Sequence, residues 1–401
     1  MKNKDIDSII RSVVIKYLDA IVLCFLLLSS LVIRIHLMKH GSSSDYLGYI
    51  IPWVEQYKNS IRTAFREGVG DYYIPYNILL AIASKINVPT YYSVGTISCI
   101  FDYLTAFFVY KLLTENFPGW FSKKVSAAIS VMYLFVPTVL LNGAAWKQCD
   151  SIYSFFVVVL LKCILDDKIR TAFVMLGIAF SFKQQAIFVV PLLIILYFFN
   201  KNIKIAYSLY TILVYLIAGL PAIILGRPAG EVYSIYLAQA DKYHQMTLNY
   251  PNWYMIGMTD YEKCHIFAKL FTVFVFAMAF WYICSKMKSI SSKTVLILAT
   301  WSVWTCCMFL PSMHQRYDYL VAILMVLCAP LIIKEKLWYT VISAILFYVG
   351  NIITYSYSLF GEDYNYSFAF CCNAIAYILF CYILWYRTTK EECYGTESNH
   401  G

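Results

Sequence analysis

Residues 41–57 read GSSSDYLGYIIPWVEQY and follow directly on the first long apolar run of the chain. They place a carboxylate, Asp45, just beyond a segment long enough to cross a bilayer, and they surround it with Tyr46, Tyr49 and Trp53. Aromatic rings of this kind favour the membrane–water interface. The pattern predicts a polar segment that leaves a membrane-spanning helix and remains at the membrane surface.

The composition indicates a membrane protein throughout. Of the 401 residues, 61% are hydrophobic and only 14% are charged, whereas a soluble domain carries about 25% charged residues. Apolar runs of roughly twenty residues, the length of one span, recur along the chain. We therefore predict an all-α, polytopic integral membrane protein that forms a single transmembrane domain over residues 1–401.

The charge and the cysteines exclude other classes. A net charge of +9 indicates basic loops on the cytoplasmic side and no nucleic-acid partner, because Lys and Arg gather there in membrane proteins. The 13 cysteines lie mostly inside apolar runs and form no CxxC pair, so structural zinc is not expected. We predict neither a metal site nor a cofactor.

The apolar runs predict about twelve spans after a cytoplasmic N-terminus. They are residues 17–37, 91–113, 125–141, 152–165, 171–181, 186–199, 206–225, 266–284, 294–310, 318–333, 338–355 and 369–385. Segment 74–86 is apolar but short for a span, and we place it as a helix at the outer interface. With that choice the basic loops fall inside, as the positive-inside tendency requires. These loops carry Lys123 and Lys124, Lys168 and Arg170, Lys201 and Lys204, Lys286 to Lys293, Lys334 and Lys336, and Arg387 and Lys390.

Three regions outside the spans follow from this topology. Residues 38–90 form an external loop with interfacial helices, and residues 226–264 form a second external loop. Residues 390–401 form a polar, disordered cytoplasmic tail, because their composition is too polar for a packed core.

Three short motifs bring polar side chains to the same outer side as Asp45. They are WKQCDS (146–151), FKQQ (182–185) and MHQRY (313–317). Ionisable groups at membrane depth are costly and usually face a cavity or a partner, although each of these could also be an interfacial residue that snorkels to water. Asp45 and Asp150 could alternatively cap helices. Arg34 and Asp102 lie inside predicted spans, and we expect them to pair structurally.

The candidate site combines one external carboxylate with nearby cations. Such a set suits a transfer in which a carboxylate takes the proton of an acceptor hydroxyl and positive charge neutralises a leaving phosphate. Arg adds a planar fork for phosphate oxygens. The sequence has no G-x-S-x-G, P-loop or G-x-G-x-x-G motif, which argues against a serine hydrolase and against nucleotide chemistry.

The chain resembles the GT-C superfamily of polytopic glycosyltransferases, which use polyprenyl-phosphate sugars. It looks most similar to bacterial proteins related to the GPI mannosyltransferase group, with a more distant likeness to the eukaryotic glucosyltransferases of dolichol-linked glycans. The resemblance rests on SDYLGYIIPW, IPYNILLAIASKI, CIFDYLTAFFVYKL, LNGAAWKQCDSIY, AFSFKQQAIFVVPLL, LNYPNWY and PSMHQRYDYL. The chain departs from it at Lys147, where Gly is expected, and at Gln315, where Glu is expected.

The resemblance implies an inverting transfer of a hexose on the external face of a bacterial inner membrane, in cell-envelope polysaccharide synthesis. The partners would be a polyprenyl-phosphate sugar donor, a glycan or lipid-linked glycan acceptor, and the bilayer. Asp45 would be the catalytic base. The substrate-binding residues would be Tyr46, Trp146, Lys147, Gln148, Asp150, Lys183, Gln184, His314, Arg316 and Tyr317. A transporter or flippase of lipid-linked sugars and a polysaccharide polymerase remain alternatives.

The predicted topology is testable by labelling from each side of the membrane. We expect a cysteine introduced at Lys85 to react from outside and a cysteine introduced at Lys123 to react only from the cytoplasm, because only then do the basic loops lie inside. The measurement is labelling by a membrane-impermeant maleimide in a background without native cysteines. Labelling of position 123 from outside would contradict the interfacial helix.

Overall fold

The computed structural model describes residues 6–240, 242–361 and 365–397, and these are almost entirely helical. The helices are α1 (Ile6–His40), α2 (Ile51–Asn59), α3 (Ile61–Glu67), α4 (Ile74–Ser84), α5 (Thr90–Asn116), α6 (Lys123–Tyr133), α7 (Pro137–Leu140), α8 (Asp150–Leu165), α9 (Ile169–Phe182), α10 (Val190–Phe199), α11 (Ser208–Ile224), α12 (Ala229–Tyr233), α13 (Ile235–Ala240), α14 (Tyr261–Lys286), α15 (Ser292–Phe309), α16 (Tyr319–Ile332), α17 (Leu337–Phe360) and α18 (Tyr366–Glu397). Two π-helical segments (Tyr46–Ile50, Leu141–Ala145) and three 3₁₀ segments (Gln184–Val189, Ile205–Tyr207, Trp253–Ile256) join them. One short parallel pair, β1 (Thr247–Leu248) with β2 (Met313–His314), departs from the all-α prediction.

Seven of the described helices are long and apolar enough to cross a membrane. They are Ile6–His40, Thr90–Asn116, Ile205–Ile224, Tyr261–Lys286, Ser292–Phe309, Leu337–Phe360 and Tyr366–Lys390. The predicted span 125–141 is not straight, because α6 and the helix from Pro137 to Ala145 meet at 54°. Proline disfavours a helical residue before it and lacks an amide hydrogen. Counted as one broken span, this pair makes eight.

The other predicted spans of the list coincide with shorter helices. Residues 152–165, 171–181, 186–199 and 318–333 fall in α8, α9, α10 with its preceding 3₁₀ segment, and α16. Each has fewer residues than a bilayer crossing of about twenty requires. The tail from Lys390 was expected to be disordered, but α18 continues to Glu397. Each residue added to an existing helix gains one hydrogen bond for the ordering of one residue, which favours this continuation.

The core lies around α8 and α15, which are buried on nearly all sides. A helix that is apolar all round is stable only inside a protein or a membrane. Around this centre, α8 packs against α5 and α9, α15 packs against α16 and α18, and α17 pairs with α18. By contrast α1, α11 and α14 bury few of their residues and expose rows of large apolar side chains.

The predicted external loop 38–90 forms its own aromatic layer. Helices α2 and α4 pack together, and α4 also contacts α5, α9 and α11. Tyr73 stacks on Tyr215 with ring centroids 4.2 Å apart. Gly70 has a φ of +64°, and a Cβ there would lie 2.5 Å from the Trp53 ring. Glycine is therefore required at this turn, which directs the next residue, Asp71, inward.

The expected pairing of Arg34 with Asp102 is present. Arg34 Nη2 lies 3.5 Å from Asp102 Oδ2, and both side chains are fully buried. Tyr319 donates a hydrogen bond of 2.6 Å to the other carboxylate oxygen, and Arg34 Nη1 donates to Ser30 Oγ at 2.6 Å. The pair joins α1 to α5, and Tyr319 extends the connection to α16.

This pair yields a stability prediction. Arg34→Leu and Asp102→Leu should each cost about 3–5 kcal/mol, because each leaves an uncompensated buried charge. The double variant should lose less than the sum of the single variants, since no charge remains buried. Thermal unfolding in detergent measures all three, with Tyr319→Phe as the control for the lost hydrogen bond. Strictly additive losses would show that the two charges do not interact.

Candidate functional site

A polar pocket lies where six separate stretches of the chain meet. It is lined by Asp45, Tyr49, Ile50, Trp53, Asp71, Tyr72, Gln148, Lys183, Gln239, Lys242, Tyr243, His314, Arg316 and Tyr317. The predicted residues Asp45, Gln148, Lys183, His314, Arg316 and Tyr317 are therefore brought together. Each of the three motifs contributes at least one of them.

Asp45 presents its carboxylate to this pocket and does not cap a helix. Its side chain makes no capping hydrogen bond, and Ser43 Oγ instead accepts from the Tyr46 amide at 3.1 Å. Among the described residues, every contact to the carboxylate is made by Oδ2. Trp146 Nε1 donates to Oδ2 at 3.2 Å and Gln148 Nε2 at 3.0 Å, and Arg316 Nη2 lies 3.6 Å away. Oδ1 is left without a protein partner in the described chain.

The two donors reach Asp45 because the backbone between them reverses. Lys147 has a φ of +60°, a left-handed conformation that glycine adopts more readily than lysine. Trp146 and Gln148 therefore point towards Asp45 while Lys147 points away. Tyr72 holds the Gln148 amide from the other side through a 3.2 Å hydrogen bond to Oε1.

Lys147, a predicted substrate-binding residue, does not line the pocket. Its Nζ donates to the carbonyl oxygens of Gly41 at 2.6 Å and Ala145 at 3.0 Å. It also lies 4.6 Å from the centroid of the buried Tyr46 ring, so Tyr46 is likewise turned from the pocket. Burial lowers the pKa of Lys147 to about 8. Both residues support the end of α1 and do not line the site.

Asp150 lies beneath the pocket and organises its cations. Its carboxylate is fully buried and forms an ion pair with Lys183 through Oδ1. Arg316 Nη1 donates to Oδ2 at 3.4 Å and Asn142 Nδ2 at 3.2 Å. Asp150 thus fixes Lys183 and Arg316, although it does not itself line the pocket as a sugar-binding residue would.

His314 is held by the short β pair at the pocket wall. Its strand β2 pairs with β1 from the second predicted external loop, and its ring packs edge-on against Tyr243 and Tyr317. Burial, together with the charges of Arg316 and Lys183, lowers the pKa of His314 to about 3. The imidazole is therefore neutral at physiological pH and can donate only one hydrogen bond.

Two opposed charges at the pocket rim were missed by the sequence analysis. Lys242 Nζ lies 2.7 Å from Asp71 Oδ2 and 5.5 Å from the centroid of the Tyr49 ring. The pair connects the two predicted external loops across the opening. Asp71 follows the required Gly70 and precedes Tyr72, and this turn was the available signal.

An apolar groove continues from the pocket. It occupies about 1090 Å³ and shares Gln239, Tyr243 and Tyr317 with the pocket walls. The predicted residue Gln184 lines this groove together with apolar side chains such as Leu237, Leu310 and Met313. Gln184 therefore lies next to the polar pocket, not within it.

The described residues contain no group of three or more His, Cys, Asp or Glu side chains placed to hold a metal ion. The chemistry open to the site is that of the partly exposed Asp45 carboxylate, the buried cations Lys183 and Arg316 and the neutral His314 imidazole, with the Asp71–Lys242 pair at the rim. No protein-family model and no curated protein matches the chain.

The neutral His314 predicts how stability depends on pH. The unfolded chain binds a proton at His314 near pH 6.5, whereas the folded state resists it until about pH 3. The unfolded state therefore binds more protons at acid pH, and the free energy of unfolding should fall as the pH falls from 7 to 5.

Thermal unfolding in detergent at pH 7 and pH 5 checks this prediction. His314→Gln should lose less stability on acidification than the parent protein, because glutamine does not titrate. His40→Gln, a change at an exposed histidine in α1, should keep the parental pH dependence. An equal loss in the parent and in His314→Gln would show that His314 is not the group responsible.

Proposed function

We propose that the chain is a multi-pass membrane glycosyltransferase that moves a hexose from a polyprenyl-phosphate donor to a glycan or lipid-linked glycan acceptor. One observation carries this proposal. A carboxylate with a free oxygen, Asp45, shares a pocket with the two buried cations Lys183 and Arg316, and an apolar groove opens from the same pocket. The combination suits a substrate with a reacting hydroxyl, a phosphate and a long apolar chain.

The membrane setting is supported by what the outer helices expose. Helices α1, α11 and α14 present rows of isoleucine, leucine, valine and phenylalanine at their surfaces. Soluble monomeric proteins rarely expose apolar patches of this extent. Seven or eight helices have the length and composition of spans. We propose that the shorter helices α8, α9, α10 and α16 also cross within this bundle, which gives about twelve crossings. The N-terminus then lies in the cytoplasm and the pocket faces outward, in a bacterial inner membrane.

Asp45 is the general base in this proposal. Because its three contacts all use Oδ2, Oδ1 is available to take the proton of the acceptor hydroxyl. The acceptor oxygen then attacks the anomeric carbon of the sugar, and the bond from that carbon to the phosphate oxygen breaks with its electron pair staying on the phosphate. Attack on the face opposite the leaving group inverts the configuration. Trp146 and Gln148 hold the carboxylate in place, and Gln148 lines the sugar site with Tyr72. Trp146, predicted to bind substrate, is buried and does not line the pocket.

The cations serve the leaving phosphate. Lys183 and Arg316 are balanced by Asp150 and Asp45, so the four side chains carry no net charge. When Asp45 accepts a proton, one positive charge on Arg316 is no longer compensated, at the moment when negative charge develops on the phosphate. Positive charge that is already in place costs no rearrangement and is effective in a site with little water. The neutral His314 can donate one further hydrogen bond.

The groove beside Gln184 receives the start of the polyprenyl chain. Its walls are mostly apolar and reach the pocket at Tyr243 and Tyr317, on the same side as Lys183 and His314. A lipid phosphate bound at the cations would therefore extend its chain into the groove without crossing Asp45. The acceptor would enter from the opposite side, past Trp53 and Asp71.

The reaction class is tested with the purified full chain in lipid. A panel of polyprenyl-phosphate hexoses, including mannosyl and glucosyl donors, is offered with glycan acceptors, and free polyprenyl phosphate is measured as product. A flippase would move the donor between leaflets without releasing this product. A polymerase would release polyprenyl diphosphate from lipid-linked repeat units and would ignore single-sugar donors.

Asp45→Asn separates the catalytic role from a structural one. Asparagine keeps an acceptor for Trp146 and Gln148 but removes the base, which is worth about 10²- to 10⁴-fold in rate. We expect this variant to fold, insert and bind donor while transfer falls by at least a hundredfold. The measurement is the initial rate of sugar transfer, with thermal unfolding as the check on folding.

Asp71→Asn is the matched control, because Asp71 is the other carboxylate that lines the pocket. It should retain most of the transfer rate, since its partner is Lys242 at the rim. Parental transfer by Asp45→Asn would falsify the assignment of the base. Loss of transfer in Asp71→Asn alone would move that role to Asp71.

A further inference from the structure

A second polar pocket lies at the other end of α9 from the proposed active site. It occupies about 810 Å³ and is lined by Asp167, Lys168, Ile169, Arg170, Thr171, Asn202, Lys204 and Tyr207. Helix α9 begins in this pocket and ends just before Lys183. At 1.5 Å per residue its 14 residues separate the two pockets by about 20 Å. The transfer chemistry uses none of these residues.

The second pocket carries an excess of positive charge. Its one carboxylate, Asp167, accepts a 2.6 Å hydrogen bond from Asn202. Lys168 lies 3.4 Å from Asp166 Oδ2. In the part of the chain that the structure describes, no carboxylate lies within ion-pair distance of Arg170 or Lys204. Arg170 instead stacks over the Tyr207 ring, 5.8 Å from its centroid. An anion of the right size would therefore meet cations that the protein does not neutralise.

An apolar groove starts at the same place and runs along the bundle surface. It occupies about 1220 Å³ between α9, α10 and α11, and Lys204 belongs to the walls of both the groove and the polar pocket. The other walls are almost all apolar and include Leu176, Ile194, Phe198 and Ile212. Ile194, Phe198 and Ile212 are more than half exposed. The groove is thus open along its side and lined like the interior of a bilayer.

We propose that the pocket and the groove together bind one anionic phospholipid. Its phosphate group lies among Lys168, Arg170 and Lys204, and one of its acyl chains lies in the groove. Basic pockets between helices on the cytoplasmic side of membrane proteins are suited to acidic headgroups, and lysine side chains reach from apolar surfaces towards polar headgroups in this way. The first turn of α9 adds a partial positive charge to the same pocket.

The charges select this occupant over two others. A free phosphate would bind to the cations but would leave the apolar groove empty. The polyprenyl chain of the donor would fill the groove, but its phosphate would lie at Lys183, about 20 Å away, and would leave Arg170 and Lys204 without a counter-ion. An anionic phospholipid would place its phosphate among the cations and one acyl chain in the groove at the same time. Its binding does not depend on glycosyl transfer.

Native mass spectrometry of the purified full chain tests the proposal. The protein is mixed with phosphatidylglycerol and phosphatidylcholine that carry the same acyl chains, and the retained lipid is counted. We expect one phosphatidylglycerol to be retained preferentially. Each lost cation should weaken its retention roughly fivefold, so Lys204→Gln and Arg170→Gln should each show that loss. Lys201→Gln removes an equal charge from the same loop outside the pocket and should show none.

The groove has its own matched pair of variants. Ile212→Trp fills the groove and should reduce phosphatidylglycerol retention, whereas Leu213→Trp, equally exposed on α11 but outside the groove, should not. Glycerol phosphate, offered as a headgroup without chains, should not compete. Equal retention of the two lipids, or equal effects of Lys201→Gln and Lys204→Gln, would overturn the proposal. Polyprenyl phosphate that displaces phosphatidylglycerol and is itself lost in Ile212→Trp would overturn it in favour of the donor chain.

Discussion

The buried carboxylate of Asp150 is the interaction on which the polar centre of the molecule depends. Lys183 and Arg316 come from distant parts of the chain, and both lie in an apolar bundle where an unpaired charge costs several kcal/mol. Asp150 pairs with both of them at the first turn of the buried helix α8. Among the described residues Lys183 has no other carboxylate partner, whereas Arg316 also pairs with Asp45. The position of α8 in the core therefore fixes the position of the positive charge.

The division of roles between the two acidic residues follows from their burial. Asp150 is fully buried and all of its polar contacts are with protein groups, so a substrate hydroxyl cannot reach its carboxylate to transfer a proton. Asp45 is 30% exposed and keeps one oxygen free. The same cation, Arg316, lies between them and couples the exposed carboxylate to the buried one. A change in the charge of Asp45 therefore alters the electrostatic balance at Arg316. The proposed reaction with a leaving phosphate would require such a coupling.

Much of the helix layout could be predicted because apolar periodicity and length are local properties. The predicted spans coincide with helices except at 125–141, which is bent between α6 and α7, and at the start of 186–199, which is 3₁₀-helical. The motifs around Asp45, Lys183 and Arg316 meet as expected. The predictions that failed depended on where side chains point and which loops meet in the folded protein. Lys147 was predicted to bind substrate, although the resemblance expects Gly at this position, but a left-handed backbone turns it to the end of α1. Asp71 and Lys242 were missed because an ion pair between two surface loops leaves no periodic signal. Pro137 is visible in the sequence, and a break in the predicted span 125–141 could have been predicted from it.

The conformation of Lys147 shows how a local cost is offset by position. A left-handed φ costs a residue other than glycine about 1–2 kcal/mol. Here the Nζ donates to two carbonyl oxygens that end helical segments at Gly41 and Ala145. Hydrogen bonds from a charged donor contribute about 1.5–3 kcal/mol each, and they offset both the turn and the burial of the ammonium, which lowers its pKa to about 8. Lysine thus keeps the reversal that aims Trp146 and Gln148 at Asp45, and it also ties that reversal to α1, the helix that leads into Asp45.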